Sequence, residues 1–298
     1  MNTILFSAPY MIPSLPRFRP ILEGYGLALI VPEVHERLSE AEILAYAGQF
    51  DGTICGDDHY TPRVLAACAP RLKIISKWGT GIDSIDRQAA AALGIRIGNT
   101  PNAFTLPVAD SVLGYMLAFA RRHPWMDRAV KAGIWDKLPG RSLSECTLGV
   151  VGVGTIGKAV VRRARAFGMT ILGNDIIEID HVFIKETGIE MTGLEDLLRR
   201  ADFVSLNCDL NPTSHHLMNA RTLASMRPSG VLINTARGPI VDEAALVAAL
   251  QAGQIAGAAL DVYEHEPLPV TSPLCQMDNV MLAPHNANSS PAAWERVH

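Results

Sequence analysis

Short apolar runs alternate with amphipathic stretches along most of this chain. In the first hundred residues the runs lie at 3–6, 27–31, 52–55, 73–76 and 95–98, and segments with helical spacing, 39–47, 62–69 and 84–93, fall between several of them. Such alternation with short links predicts a parallel sheet covered on both faces. The apolar segment 102–122 then predicts a long helix that carries the chain into a second unit. Arg121-Arg122-His123-Pro124 marks its stop, because Pro disfavours continuing a helix. Residues 125–138 read as an amphipathic helix and linker, with Pro139-Gly140 as a turn. A second alternation runs from about 142 to 284, with strands at 148–153, 170–172, 203–206, 231–235, 257–262 and 280–282. Asp242 is placed to cap a helix at 243–251 and Gly253 to end it. The segment 289–298 opens another helix with no stop signal, so a longer natural chain is expected, with its last helix on the first unit.

The stretch 147–175 organises the second unit. A buried-strand run leads into Gly152-Val153-Gly154-Thr155-Ile156-Gly157, a helical pattern follows, Gly168 closes it, and a second apolar run ends at Asp175. Gly152 permits the tight turn, Gly154 lets a pyrophosphate approach the backbone, and Gly157 lets the helix sit close to the sheet. The unpaired N–H groups of the helix N-terminus favour the phosphate charge. Asp175 stands where a carboxylate accepts bonds from a ribose diol. A 2′-phosphate there meets like charge, and Ile176 and Ile177 supply no offsetting cation, so NAD is expected over NADP. A glycine-rich turn in some other α/β protein is the bland alternative.

Composition narrows the class further. The chain has 298 residues, enough for two domains, and 48% of them are apolar, as in a packed globular protein. A net charge of −4 gives no reason to expect nucleic acid or an anionic membrane as partner. Met1 to Ile12 lacks the basic start and apolar centre of a signal peptide, and no run approaches membrane-spanning length. The five cysteines are scattered without metal-ligand spacing, which predicts reduced thiols, no metal and a cytoplasmic location.

Three residues follow strand ends of the second unit: Arg237 after 231–235, Glu266 after 257–262 and His285 after 280–282. Carboxyl ends of parallel strands line the ligand crevice of an open sheet. Oxidising a hydroxy acid needs a base near neutral pH, which imidazole supplies. A neighbouring carboxylate orients that imidazole and favours its protonated form, so Glu266 is expected to raise the pKa of His285. Arg237 can grip a carboxylate. Taken singly, each has a structural alternative as a loop or surface residue; three matched types on one sheet edge point to catalysis.

On these motifs the chain resembles the D-isomer-specific 2-hydroxyacid dehydrogenase family, most strongly over 77–86 and 147–287. The resemblance implies an α/β fold of two doubly wound parallel-sheet domains. A Rossmann NAD-binding domain, 101–285, would be inserted into a flavodoxin-like substrate domain, 1–100 and 286–298. It implies Arg237, Glu266 and His285 as catalytic residues. It implies Gly152, Gly154, Thr155, Ile156, Gly157, Asp175 and Cys208 as cofactor contacts, with Asp261 on the nicotinamide amide and Thr235 and Ala236 beside that ring. The loop Lys77-Trp78-Gly79-Thr80-Gly81 would hold the substrate carboxylate through the N–H groups of Gly79, Thr80 and Gly81, a nest suited to anions. Lys77 before this loop is similar to the phosphoglycerate dehydrogenase branch, where a cation helps hold a phosphate-bearing substrate. An exposed, structurally neutral lysine is the alternative.

The implied activity is NAD-dependent interconversion of a D-2-hydroxy acid and its 2-keto acid, possible substrates being 3-phosphoglycerate, hydroxypyruvate or glyoxylate. A non-catalytic NADH-sensing protein resembling co-repressors is the second reading, and the retained triad argues against it. A homodimer is implied, with the apolar segment 102–126, Trp125 and Trp135 as candidate surface, although burial within one chain is as good a reading of that segment. Departures from the family pattern at Asn102, Phe104, Leu106, Asp110 and 207–210 leave the substrate open. Feedback control through an extra regulatory domain is not expected.

Overall fold

Twelve strands, every pairing parallel, form two sheets in this computed structural model, which describes residues Met1–His298. The chain divides into two units, one of Met1–Phe104 with Ser290–His298 and one of Thr105–Ser289.

The first unit carries β1 (Asn2–Phe6), β2 (Leu27–Ile30), β3 (Gly52–Cys55), β4 (Ile74–Lys77) and β5 (Arg96–Gly98) in the order β2-β1-β3-β4-β5. This is the flavodoxin-like order. Its core gathers Leu5, Ile43, Phe50, Leu65, Leu72 and Ile75. The sequence pattern passed over one element here, the helix Leu15–Gly24, which holds Pro16 near its start and Pro20 inside. Pro16 sits where an N–H has no helical partner to lose. Pro20 forgoes one backbone bond, and the helix buries little beyond Leu15. The final helix, Pro291–Val297, belongs to this unit: Glu295 pairs with Arg17 at 2.6 Å, and Trp294 packs on Tyr10 with ring centres 5.3 Å apart.

The second unit carries β6 (Thr147–Val151), β7 (Thr170–Asn174), β8 (Glu190–Met191), β9 (Phe203–Leu206), β10 (Val231–Asn234), β11 (Gly257–Leu260) and β12 (Val280–Leu282). Their order is β12-β11-β10-β9-β6-β7-β8, the Rossmann arrangement with one further strand. Strands β9, β10 and β11 are buried at every position, as a sheet covered on both faces requires. One face is covered by helices Thr105–Arg121 and Thr155–Ala166, which bury Val112, Met116, Val160 and Ala164. The other is covered by Leu197, Leu223, Leu246 and their neighbours.

The helix expected over 102–122 spans Thr105–Arg121, and Arg122 at φ +59° breaks it. Arg122 is also the N-cap of His123–Lys131, with Pro124 in its first turn, so the residue that ends one helix begins the next. Asp242 caps Glu243–Gln251 by accepting from Ala245 N at 2.9 Å.

Candidate active site

The strand order reverses between β6 and β9, and the glycine turn lies at that point. Gly152 adopts φ +87°, and a Cβ there would lie 2.5 Å from the Cys208 nitrogen at the end of β9. At Gly157 a Cβ would collide with the Gly152 carbonyl oxygen, so the helix meets the turn only because both side chains are missing. Gly154 differs: it is the N-cap of Thr155–Ala166, makes no side-chain cap, and a Cβ there meets nothing within 4 Å. Thr155 beside it is exposed and Ile156 is half-buried against the core. An open backbone at a helix N-terminus is what a pyrophosphate needs.

Asp175 is held by the turn it serves. Its carboxylate accepts from Val153 N at 2.6 Å and Ile177 N at 3.1 Å, while the side chains of Ile176 and Ile177 stand in solvent. Cys208 is partly buried, and burial pushes its thiol up to about 11, so it stays neutral beside the anion site. Two buried polar atoms at the same sheet edge have no hydrogen-bond partner, Thr235 Oγ1 and Asn207 Oδ1. Buried polar groups are rarely left unpaired. Together with the open Gly154, they fit a dinucleotide along this edge.

Arg237, Glu266 and His285 follow β10, β11 and β12, three adjacent strands. His285 Nδ1 lies 3.0 Å from Glu266 Oε2, with both side chains about a quarter exposed or less (26% and 20%). Glu266 Oε1 accepts from Tyr263 N at 3.0 Å, so the carboxylate is fixed at both oxygens. His285 has φ +51°, a conformation uncommon outside glycine, and its nitrogen donates to the Asp261 carbonyl at 2.7 Å. Arg237 donates from Nη1 to the Ala236 carbonyl at 2.8 Å.

Asp261 is 1% exposed, and burial raises its pKa. Its two oxygens accept from Asn286 N and Ala287 N, each at 2.8 Å. The carboxylate expected on the nicotinamide amide therefore also anchors the loop that carries His285.

Three supporting residues escaped the sequence reading. Asn234, 1% exposed, accepts from Ala236 N at 3.1 Å and donates to the Arg237 carbonyl at 2.9 Å, so it shapes the 235–237 turn. Tyr263 donates its hydroxyl to the carbonyls of Leu260 and Ala283 at 3.1 and 2.9 Å, tying together the ends of β11 and β12. Gly238 abuts the Tyr263 carbonyl so closely that a Cβ would overlap it. The one available signal was Asn234, a polar residue ending an otherwise apolar strand.

In the first unit, Gly79 sits at φ +127°. Three of the loop's carbonyls are taken: Trp78 O by Lys77 Nζ at 3.0 Å, Gly79 O by Thr100 N at 2.9 Å and Thr80 O by Asn99 Nδ2 at 2.6 Å. Thr80 Oγ1 donates to the Thr100 carbonyl at 2.9 Å. The N–H groups of Gly79, Thr80 and Gly81 make no hydrogen bond within the protein. Lys77, expected to face substrate, ends β4 with 5% exposure and pairs with Asp57 at 3.0 Å.

Comparison with known proteins agrees with this architecture. Residues 113–287 match the family described as D-isomer specific 2-hydroxyacid dehydrogenase, NAD binding domain. A glyoxylate reductase of Korarchaeum cryptofilum is 43% identical over 77% of this chain and 70% of its own length. A D-3-phosphoglycerate dehydrogenase of Methanocaldococcus jannaschii is 38% identical over 88% of the chain, which spans half of that longer protein. The crystal structure of a D-lactate dehydrogenase from Aquifex aeolicus, complexed with NAD and lactic acid, superposes with a TM-score of 0.88 at 28% identity, covering 99% of this chain and 92% of that one. With the family match covering more than half of the chain and both sheets in the family's arrangement, this protein belongs to the D-isomer-specific 2-hydroxyacid dehydrogenases, a family of NAD-dependent oxidoreductases.

Proposed function

We propose that this chain interconverts a short D-2-hydroxy acid and its 2-keto acid, with His285 as the acid–base residue and Glu266 as its orienting partner. The observation that carries the reading is the His285 Nδ1–Glu266 Oε2 bond of 3.0 Å at the carboxyl edge of the sheet that bears the glycine turn. NAD, when bound, supplies or accepts the hydride. Glu266 engages Nδ1, which leaves Nε2 to exchange a proton with the substrate oxygen. The imidazolium formed when the hydroxyl is deprotonated is stabilised by the carboxylate beside it. Arg237 holds the substrate carboxylate and polarises the reacting carbonyl. Gly152, Gly154, Thr155, Ile156 and Gly157 receive the pyrophosphate, Asp175 the ribose, and Cys208 borders the adenosine. Thr235, Ala236 and Asp261 border the nicotinamide; in the first unit, the 79–81 amides suit the carboxylate of a substrate.

The test is loss of NADH absorbance with purified protein and a panel of 2-keto acids that includes glyoxylate, hydroxypyruvate and phosphohydroxypyruvate. Turnover that disappears in His285→Ala while NADH affinity stays near wild type supports the assignment. A panel with no turnover, and NADH binding intact, favours the NADH-sensing alternative.

We also propose a homodimer. Val130, Ile134, Trp135 and Leu138 expose apolar surface within one short segment, Trp135 at 86%. Trp125, by contrast, is used within the chain: it packs on Phe119 and donates to the Asp278 carbonyl at 2.9 Å. No helix is long and apolar enough to cross a membrane. All five cysteines are free thiols, which supports a cytoplasmic setting.

A further inference from the structure

The sequence reading put Lys77 among residues that touch substrate, and the structure gives it other work. Its side chain is 5% exposed, and the ammonium lies 3.0 Å from Asp57 Oδ1. It also donates to the Trp78 carbonyl at 3.0 Å. A Cβ built on Gly79 would fall 3.3 Å from Nζ, so the ammonium sits directly behind the first residue of the glycine loop. A long cationic side chain is rarely buried this far unless it is paired. The exposed member of the pair is the carboxylate, with Asp57 at 44%. Trp78 itself is wedged between Tyr10, Phe104 and Trp294, with ring centres 5.5, 5.7 and 5.9 Å away.

The loop is thus gripped from within. Its tryptophan ring is packed, its first carbonyl is tied to Lys77, and its next two carbonyls are tied to Thr100 and Asn99. With the carbonyls drawn to these partners, three consecutive N–H groups remain for an anion, at 79, 80 and 81. Backbone amides in such a nest suit one carboxylate.

We propose that Lys77 is a positioning residue that sets the 79–81 amides for the substrate carboxylate through the Trp78 carbonyl, without touching the substrate itself. This deepens the proposed function and rests on it for the identity of the reaction.

The test uses wild type, Lys77→Met and Lys77→Gln, whose side-chain amide keeps a donor for the Trp78 carbonyl without the charge. Kinetics with NADH are measured on hydroxypyruvate and phosphohydroxypyruvate, and amide hydrogen exchange is followed in a peptide covering 79–81. Lys77→Met loses about tenfold on both substrates alike, in KM more than in kcat, and its loop amides exchange about fivefold faster; Lys77→Gln recovers most of both losses. A loss confined to phosphohydroxypyruvate, as a direct contact of Lys77 with the phosphate would give, overturns the proposal. If wild type reduces neither acid, the proposed function fails, and the exchange data still decide on Lys77: unchanged exchange in Lys77→Met overturns its positioning role.

Discussion

Alanine at position 154 separates cofactor binding from folding. Gly154 has φ −73°, which any residue adopts, and its Cβ direction is open to 4 Å. Replacing an N-cap glycine by alanine costs helix stability about 1 kcal/mol at most. For a unit of this size that lowers Tm by about 2–4 °C. The added methyl stands where the pyrophosphate must approach the backbone. Pushing the phosphates out of reach forfeits one or two hydrogen bonds to a charged group, about 1.5–3 kcal/mol each. A loss of about 3 kcal/mol weakens binding by a little over a hundredfold. NADH fluorescence titration and a thermal melt on the same sample read both numbers. Gly157→Ala is the control: its Cβ overlaps the Gly152 carbonyl, so it loses the fold as well as the cofactor. An NADH Kd for Gly154→Ala within about threefold of wild type, a difference of only about 0.7 kcal/mol, would refute the placement of the pyrophosphate.

Other consequences follow from the same geometry. Gly238→Ala forces residue 238, next to Arg237, away from the Tyr263 carbonyl; stability falls by about 3 kcal/mol in urea melts and kcat/KM by about a hundredfold or more, as for other misplaced binding groups. Glu266→Gln keeps the shape but removes the charge beside His285, and kcat/KM for a 2-keto acid drops by about a hundredfold with NADH affinity unchanged. Asp58 in the first unit is fully buried; burial raises its pKa to about 6, although Ser7 Oγ and Leu38 N donate to it and Lys77 lies near. Its folded pKa is above the unfolded value, so its contribution is fully present below about pH 4 and is lost as pH rises through about 6. Asp58→Asn, which cannot ionise, should therefore gain on wild type between pH 4 and pH 7.5 by about 2–3 kcal/mol in urea melts. A mutant-to-wild-type difference that does not change with pH would contradict this.

Much of the framework was readable because its signals are local. The buried strands announce themselves as apolar runs, and the turn at 152–157 shows its purpose in its glycines. The helix Leu15–Gly24 was hidden by Pro16 and Pro20, which argue against a helix unless one knows that few of its backbone bonds are at stake. Strand β8, only Glu190–Met191, is too short to show a period. The surroundings of the triad were hidden for another reason. Lys77 is buried because Asp57, twenty positions earlier, comes alongside through the β3–β4 pairing. Asp261 anchors 286 and 287, and Gly238 fits against Tyr263, through strand neighbours that no single stretch of sequence displays.

The central claim is a direct transfer of hydride between the cofactor and C2 of an acid held beside His285. NADH deuterated at C4 on the transferred face, incubated with the protein and an accepted 2-keto acid, tests it. The account predicts a D-2-hydroxy acid carrying one deuterium at C2, with none formed by His285→Ala. Product of L configuration, or product without deuterium at C2, would contradict it.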